Sequence, residues 1–127
     1  MDEHPNAALV RKWGESMTAG DPAAGVEFLA DDVEWHEIGR SEPIRGKAAL
    51  AERYMGANPP DWQITDVEVH DVVANDDHTI ALGTATAVRG GKTFRYRTAE
   101  IYHIKDGKIT ARWAFSDDTA AINDFFA

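Results

Sequence analysis

The chain has 127 residues, 43% hydrophobic and 28% charged, which suits one globular domain with enough length to bury a core. Its 22 acidic residues outnumber 13 basic ones, giving a net charge of −9, and such a surface repels a phosphate backbone, so nucleic acid is not an expected partner. Cysteine is absent, which removes disulfides, thiolate nucleophiles and thiolate metal sites together. No apolar run is long enough to span a bilayer, and Met1-Asp2-Glu3-His4-Pro5 lacks the basic and apolar regions of a signal peptide, so a cytoplasmic protein is expected.

Helices come first. Leu9, Trp13 and Met17 recur every four residues and predict a first helix with one apolar stripe. Gly20-Asp21-Pro22 stops it and starts another, with Asp21 as N-cap, Pro22 at the first helical position, and Val26, Phe28 and Leu29 on the buried side. A brief strand is expected from Val33 to Ile38. Arg45-Gly46 then leads into a third helix carrying Leu50, Tyr54 and Met55, which Gly56 and Pro59-Pro60 terminate.

From Trp62 the period changes to two, predicting strands over 62–74, 78–89, 92–105 and 108–116. Asn75-Asp76-Asp77, Gly90-Gly91 and Asp106-Gly107 are hairpin-turn residues, so the four form an antiparallel meander. In 78–89, Ile80, Leu82, Thr84, Thr86 and Val88 point one way and the small Ala81, Gly83, Ala85 and Ala87 the other, where a helix, a ligand or a second subunit could approach closely. A last short helix follows Ser116 as cap, with Asp117 and Asp118 favouring its N-terminus. The expected class is α+β, a curved and mostly antiparallel sheet wrapped on N-terminal helices, in one domain over 1–127.

Two carboxylates stand on faces where apolar side chains dominate. In 33–38, Val33, Trp35 and Glu37 share a face; in 92–105, Phe94, Tyr96, Thr98, Glu100, Tyr102 and Ile104 share one. A carboxylate there is costly unless paired, hydrogen-bonded or protonated, and desolvation would suit it to general acid or base work. The plainer alternative is a glutamate at a sheet edge, or one paired with an arginine of a neighbouring strand.

The run Leu29-Ala30-Asp31-Asp32 through Ser41-Glu42-Pro43 to Gly46 resembles the ketosteroid isomerases. Thr18-Ala19-Gly20-Asp21 before it and Glu100 through Asp106-Gly107-Lys108-Ile109 after it continue the likeness. Glu34-Trp35-His36, Gly39-Arg40-Ser41 and the ending Trp113-Ala114-Phe115-Ser116-Asp117-Asp118 are similar to the SnoaL-like polyketide-cyclase family. The resemblance implies a cone-shaped fold of the nuclear transport factor 2-like kind with one central pocket, a small apolar molecule in it, no cofactor and a homodimer. It implies Glu37 as the proton-shuttling base, Glu100 as a protonated donor or orienting acid, and Tyr54 as a supporting tyrosine. Trp13 occupies the place of that family's oxyanion-hole tyrosine, and an indole donates without approaching acid behaviour. Both carboxyls are glutamate where aspartate is usual.

The reaction so implied is cofactor-independent proton transfer on an apolar carbonyl compound, as an isomerase, cyclase or dehydratase. The alternative is a binding or assembly module using the same pocket without chemistry. Trp13, Trp35, Tyr54, His36 and Trp113 are candidate pocket residues. A hydrolase in which a carboxylate activates water against an epoxide ranks third, because alternation leaves no obvious basic partner inside. His70, His78 and His103 lack ligand spacing, so no metal is expected. Ser16, Ser41 and Ser116 lack the neighbours of a triad. Arg95 and Arg97 read as the outer side of a strand, and the apolar sheet face as the homodimer surface.

Overall fold

The computed structural model describes residues 3–19 and 22–127. Helix α1 spans Pro5–Thr18, α2 Pro22–Val26 and α3 Lys47–Met55; strands β1 to β6 span Leu29–Trp35, Ile44–Arg45, Trp62–Ala74, Thr79–Arg89, Lys92–Lys105 and Lys108–Ser116, and α4 spans Thr119–Phe126. The expected α+β architecture is what forms: one curved, unclosed six-stranded sheet in the order β2-β1-β6-β5-β4-β3, with helices against one face. All neighbours are antiparallel except β1 and β6, which run parallel.

The turns follow their residues closely. Gly90 and Gly91 both hold positive φ, as do Asp106 and Gly107, the pattern of two-residue primed turns that match strand twist. At the third turn, the Asn75 side chain accepts from the backbone N–H of Asp77 at 2.9 Å and of His78 at 2.8 Å, so β4 starts at Thr79, one residue later than expected. Asp21 and its capping role lie outside the described residues.

Three element boundaries differ from expectation. Leu29 belongs to β1 and not to α2, because Ile109 donates to the Phe28 carbonyl at 2.8 Å and draws this segment alongside β6. That strand ends at Trp35, leaving His36, Glu37 and Ile38 beyond it. The short β2, which the sequence pattern did not reveal, pairs Ile44 with Trp35 and Arg45 with Glu34. At the far end, Asp118 and not Ser116 caps α4, accepting from Ala121 N–H at 3.0 Å, while Ser116 Oγ receives Asp118 N–H at 2.9 Å.

The core lies between the helices and the concave face of the sheet. Val33, Tyr102 and Ile109 are essentially sealed, with Ala7, Val10, Leu29, Trp35, Leu50, Val72 and Ala81 around them. Ala7 and Val10 are therefore the buried edge of α1. Leu9 and Trp13 are half-buried beside them, and Met17, expected on the buried stripe, is exposed. The small side of β4 is the concave one, where Ala81, Ala85 and Ala87 are buried. A Cβ at Gly83 would come within 2.7 Å of the Glu68 carbonyl oxygen, beside the irregularity in β3, so only glycine lets these strands approach there.

The convex face carries Ile80, Leu82, Ile101, His103, Trp113 and Phe115, with Val73, Leu82 and Phe115 exposed. Among the described residues no helix is long and apolar enough to cross a membrane.

Candidate active site

Register decides which polar side chains meet inside the cone. Tyr102 on β5 stands opposite Arg112 on β6, and Trp35 on β1 stands opposite Arg112 from the other side. Glu100, two residues before Tyr102, shares its face. Arg112 Nη2 donates to Glu100 Oε1 at 2.6 Å, and the Tyr102 hydroxyl donates to Glu100 Oε2 at 2.7 Å. Arg112 Nη1 donates to the His36 carbonyl at 3.0 Å, and its guanidinium lies over the Trp35 ring, 4.6 Å from the centroid. Its Nε is buried and has no hydrogen-bond partner among the described residues.

This network determines what Glu100 can do. Both of its oxygens accept hydrogen bonds, one of them from the Arg112 guanidinium. Burial alone would lower the Arg112 pKa, but the charges of Glu100 and Tyr102 outweigh it and raise the value above the ordinary one.

Glu37 sits differently. It follows the end of β1, where His36 N–H donates to the Arg112 carbonyl at 2.9 Å and fixes the strand's exit. Helix α3 brings Tyr54 to it: the phenol donates to Glu37 Oε2 at 2.5 Å, and Arg53 Nη2 lies 3.5 Å from the same oxygen. Arg53 is well exposed and its charge is screened by water. Among the described residues, Glu37 Oε1 has no hydrogen-bond partner.

Aromatic rings form the surroundings. Tyr54 meets Trp62 edge-on at 6.0 Å, and Trp62 meets Phe126 of α4 at 4.9 Å. Phe94 stacks on Tyr96 at 5.3 Å and on Phe125 at 5.1 Å, while Tyr96 meets Phe126 at 5.9 Å. Deeper in, Trp13 packs against Trp35 at 5.5 Å and Tyr102 at 5.8 Å. A cleft of about 450 Å³ lies elsewhere, between α1 and Val67 and Val69 of β3, and another of about 410 Å³ lies beside Lys47, Lys105 and Lys108.

Glu37, Glu100, Tyr54 and Trp35 of the expected set thus converge on one region. Trp13 packs against Trp35 and Tyr102 of this region, with its indole Nε1 3.7 Å from where a Cβ on Gly25 would stand. His36 and Trp113 are on the convex face and do not line the site. They stack on each other at 5.0 Å, with His103 edge-on to Trp113 and His36 Nε2 3.4 Å from Glu34. Arg112 is the principal residue missed. Alternation with Ala111 and Trp113 already places it on the opposite face, but only the register shows that this is the side of Glu100.

The phenols are all held neutral. Burial raises the Tyr54 pKa, and Glu37 adds to it through its charge and its hydrogen bond. Burial is also the main cause for Tyr102, reinforced by Glu100. Tyr96 is pushed up to about 12 by burial, with Arg112 opposing and Glu100 adding to the shift. Its hydroxyl makes no hydrogen bond to any described residue, which leaves it free to donate to a ligand oxygen.

The sequence profile of the SnoaL-like domain matches residues 10–112. The chain belongs to the SnoaL-like family. No curated protein sequence matches it. Among solved structures it is similar to Bal32a from a soil-derived mobile gene cassette, at 24% identity and TM-score 0.79, over 96% of both chains. It is similar also to an LEH-like epoxide hydrolase of M. tuberculosis, at 20% identity and TM-score 0.72, over 87% of this chain and 81% of that one. A candidate ketosteroid isomerase of Kribbella flavida shares 21% identity at TM-score 0.67, over 88% and 77% respectively. These likenesses establish the SnoaL-like domain's fold and not its reaction.

The tyrosines give a sign-definite pH test, since the chain has only these three. Their folded values lie above the ordinary 10.0, so the folded state binds more protons than the unfolded one above that pH. Their contribution to stability is fully present below pH 10.0 and is lost as pH rises through the folded values, about 12 for Tyr96 and higher for Tyr54 and Tyr102. An absorbance titration of phenolate should show no native step near pH 10.0. Ionisation should instead coincide with loss of the circular-dichroism signal, and a separate phenolate step in folded protein would contradict the burial described.

Proposed function

We propose that this SnoaL-like domain catalyses proton transfer on a small, apolar carbonyl compound, with Glu37 as base. The observation that carries this is the placement of Glu37, held on one oxygen by Tyr54 at 2.5 Å beside the ring cluster of Tyr54, Trp62 and Phe126. Glu37 takes a proton from carbon next to the carbonyl, and the C–H electron pair moves into a C=C bond while charge gathers on oxygen. Tyr96 donates to that oxygen as a neutral phenol whose position is set before reaction. Glu37-H then returns its proton, to the same carbon or to a conjugated one. The Glu100–Arg112 pair supplies a fixed field and orients Tyr102.

A second proposal has specific support in Arg112. A buried guanidinium paired with a carboxylate is the basic partner that a water-activating epoxide hydrolase requires, and a residue of that kind was missing from the alternation pattern. It ranks below proton transfer because each Glu100 oxygen already accepts a hydrogen bond from a buried neighbour, whereas Glu37 accepts one on Oε2 alone among the described residues. A non-catalytic binding module is the remaining alternative.

β-Tetralone, a flat ketone with acidic neighbouring protons, is a suitable probe. In heavy water the protein should accelerate loss of its α-proton NMR signals, and Glu37→Gln should reduce the rate by about a hundredfold or more while leaving binding intact. Equal rates for both proteins would remove Glu37 from the mechanism. If exchange is absent and styrene oxide is hydrolysed instead, the second proposal replaces the first; if neither occurs, the binding module remains.

We also propose a homodimer through the convex face, which exposes Val73, Leu82 and Phe115, more apolar side chain than isolated surface residues explain. Light scattering should return twice the chain mass of 14.0 kDa, and Phe115→Glu should shift it toward the monomer. A wild-type monomer at micromolar concentration would rule the dimer out.

A further inference from the structure

The last turn of α4 packs its rings on Trp62 of β3 and on Phe94 and Tyr96 of β5. Ile122 anchors the helix in the core, being almost fully buried, and Asn123 presses its side chain against Gly39, where an added Cβ would overlap Asn123 Oδ1. Beyond that anchor, Phe125 and Phe126 are only half-buried. Carbonyls at a helix end have no partner within the helix, and here two arginines supply them. Arg89 Nη1 donates to the Phe125 oxygen at 2.8 Å and to the Ala127 oxygen at 2.5 Å, and Arg40 Nη2 donates to the Phe126 oxygen at 3.3 Å. Arg89 is in turn held by Asp61 at 3.0 Å. These contacts are partly exposed and exchangeable with water.

The Phe126 ring occupies a distinctive place. Trp62 and Tyr96 meet it edge-on at 4.9 Å and 5.9 Å, and Phe94 at 6.4 Å. Trp62 is also the neighbour of Tyr54, whose phenol holds Glu37. A flat ring in this position lies against the Tyr96 ring and is linked to the Glu37 carboxylate through Trp62 and Tyr54. Edges and faces of four rings surround it, which is how aromatic groups favour another planar ring.

We propose that Phe126 sits where the ring of a planar apolar substrate binds, so that the last turn of α4 selects for flat ring compounds and must swing aside to admit one. This rests on the site at Glu37 proposed above, and it adds the substrate's shape and the residue that sets it. The turn acts as a resident competitor: apparent affinity falls by the fraction of molecules in which the ring is out. Ile122 and Asn123 keep the helix attached while its final residues move. Arg89, by holding the carbonyls, is a positioning residue for the closed state.

Binding of β-tetralone measured by NMR titration tests this without requiring turnover. Phe126→Ala should bind it about tenfold more tightly or better than wild type, and Arg89→Met, which keeps the ring but frees the turn, about threefold more tightly. In the saturated wild-type complex, the nuclear Overhauser contact between the Trp62 and Phe126 rings should vanish, and one from Trp62 to the ligand should appear. trans-β-Decalone, a ketone of similar size but not flat, should bind wild type about tenfold more weakly than β-tetralone.

Unchanged or weaker binding by a folded Phe126→Ala protein, or persistence of the Trp62–Phe126 contact at saturation, would overturn the proposal. So would failure of that variant to bind β-tetralone at all. Should Phe126→Ala not fold, Arg89→Met and the ring contact decide in its place. Ligand that displaces Phe126 but exchanges no protons would sink the reaction alone. Exchange without any displacement would sink the ring site alone.

Discussion

A buried arginine must find a carboxylate or destabilise the fold, and in this chain Arg112 finds Glu100 at 2.6 Å. Much of the interior is arranged around that requirement. The same guanidinium holds the His36 carbonyl and covers the Trp35 ring, so it ties the exit of β1 to β6 where their parallel pairing ends. Tyr102, almost sealed from solvent, spends its hydroxyl on the second oxygen of Glu100. Breaking such a pair by removing one partner typically costs about 3–5 kcal/mol, because the other charge is left buried alone. The pair is thus better understood as a specification of register than as a large net source of stability.

The two glutamates that share the site consequently differ in what they can do. Glu100 is neutralised by a cation and saturated on both oxygens. Glu37 lies past the strand's end and is held on one oxygen by a phenol and, more distantly, by an exposed arginine. One carboxylate is hydrogen-bonded on both oxygens and the other on one. Separating two acids by environment is a general route to assigning roles within one pocket. Here the separation comes from Arg112, whose position opposite Tyr102 depends on strand register.

Much of this could be read from residues in order. Hairpin turns announced themselves through Gly90-Gly91 and Asp106-Gly107, and period two through the strands they join. The parity of β5 placed Glu100 beside Tyr102 and Tyr96 before any coordinates. Parity does not give register, however, and Arg112 could be assigned to a side only once β6 was aligned against β5 and β1. Short segments were least legible. Phe28 and Leu29 look helical beside Val26, yet pairing with Ile109 makes Leu29 a strand residue. Apolar character also misleads about the side of a sheet: Trp113 resembles a pocket residue and stands on the convex face against His36 and His103. Trp13 does lie near the site, but its N–H direction follows from helix rotation, which spacing alone does not determine.

The most direct test of this organisation is a double-mutant cycle on the charge pair, with urea unfolding of wild type, Arg112→Met, Glu100→Gln and the double variant. If the pair sets the interior, each single change should cost about 3–5 kcal/mol. The double change should then cost less than their sum by about 2 kcal/mol, the signature of two groups that depend on each other. Costs that add to within about 0.5 kcal/mol would contradict the account. Arg112 and Glu100 would then be independent residues that happen to lie side by side.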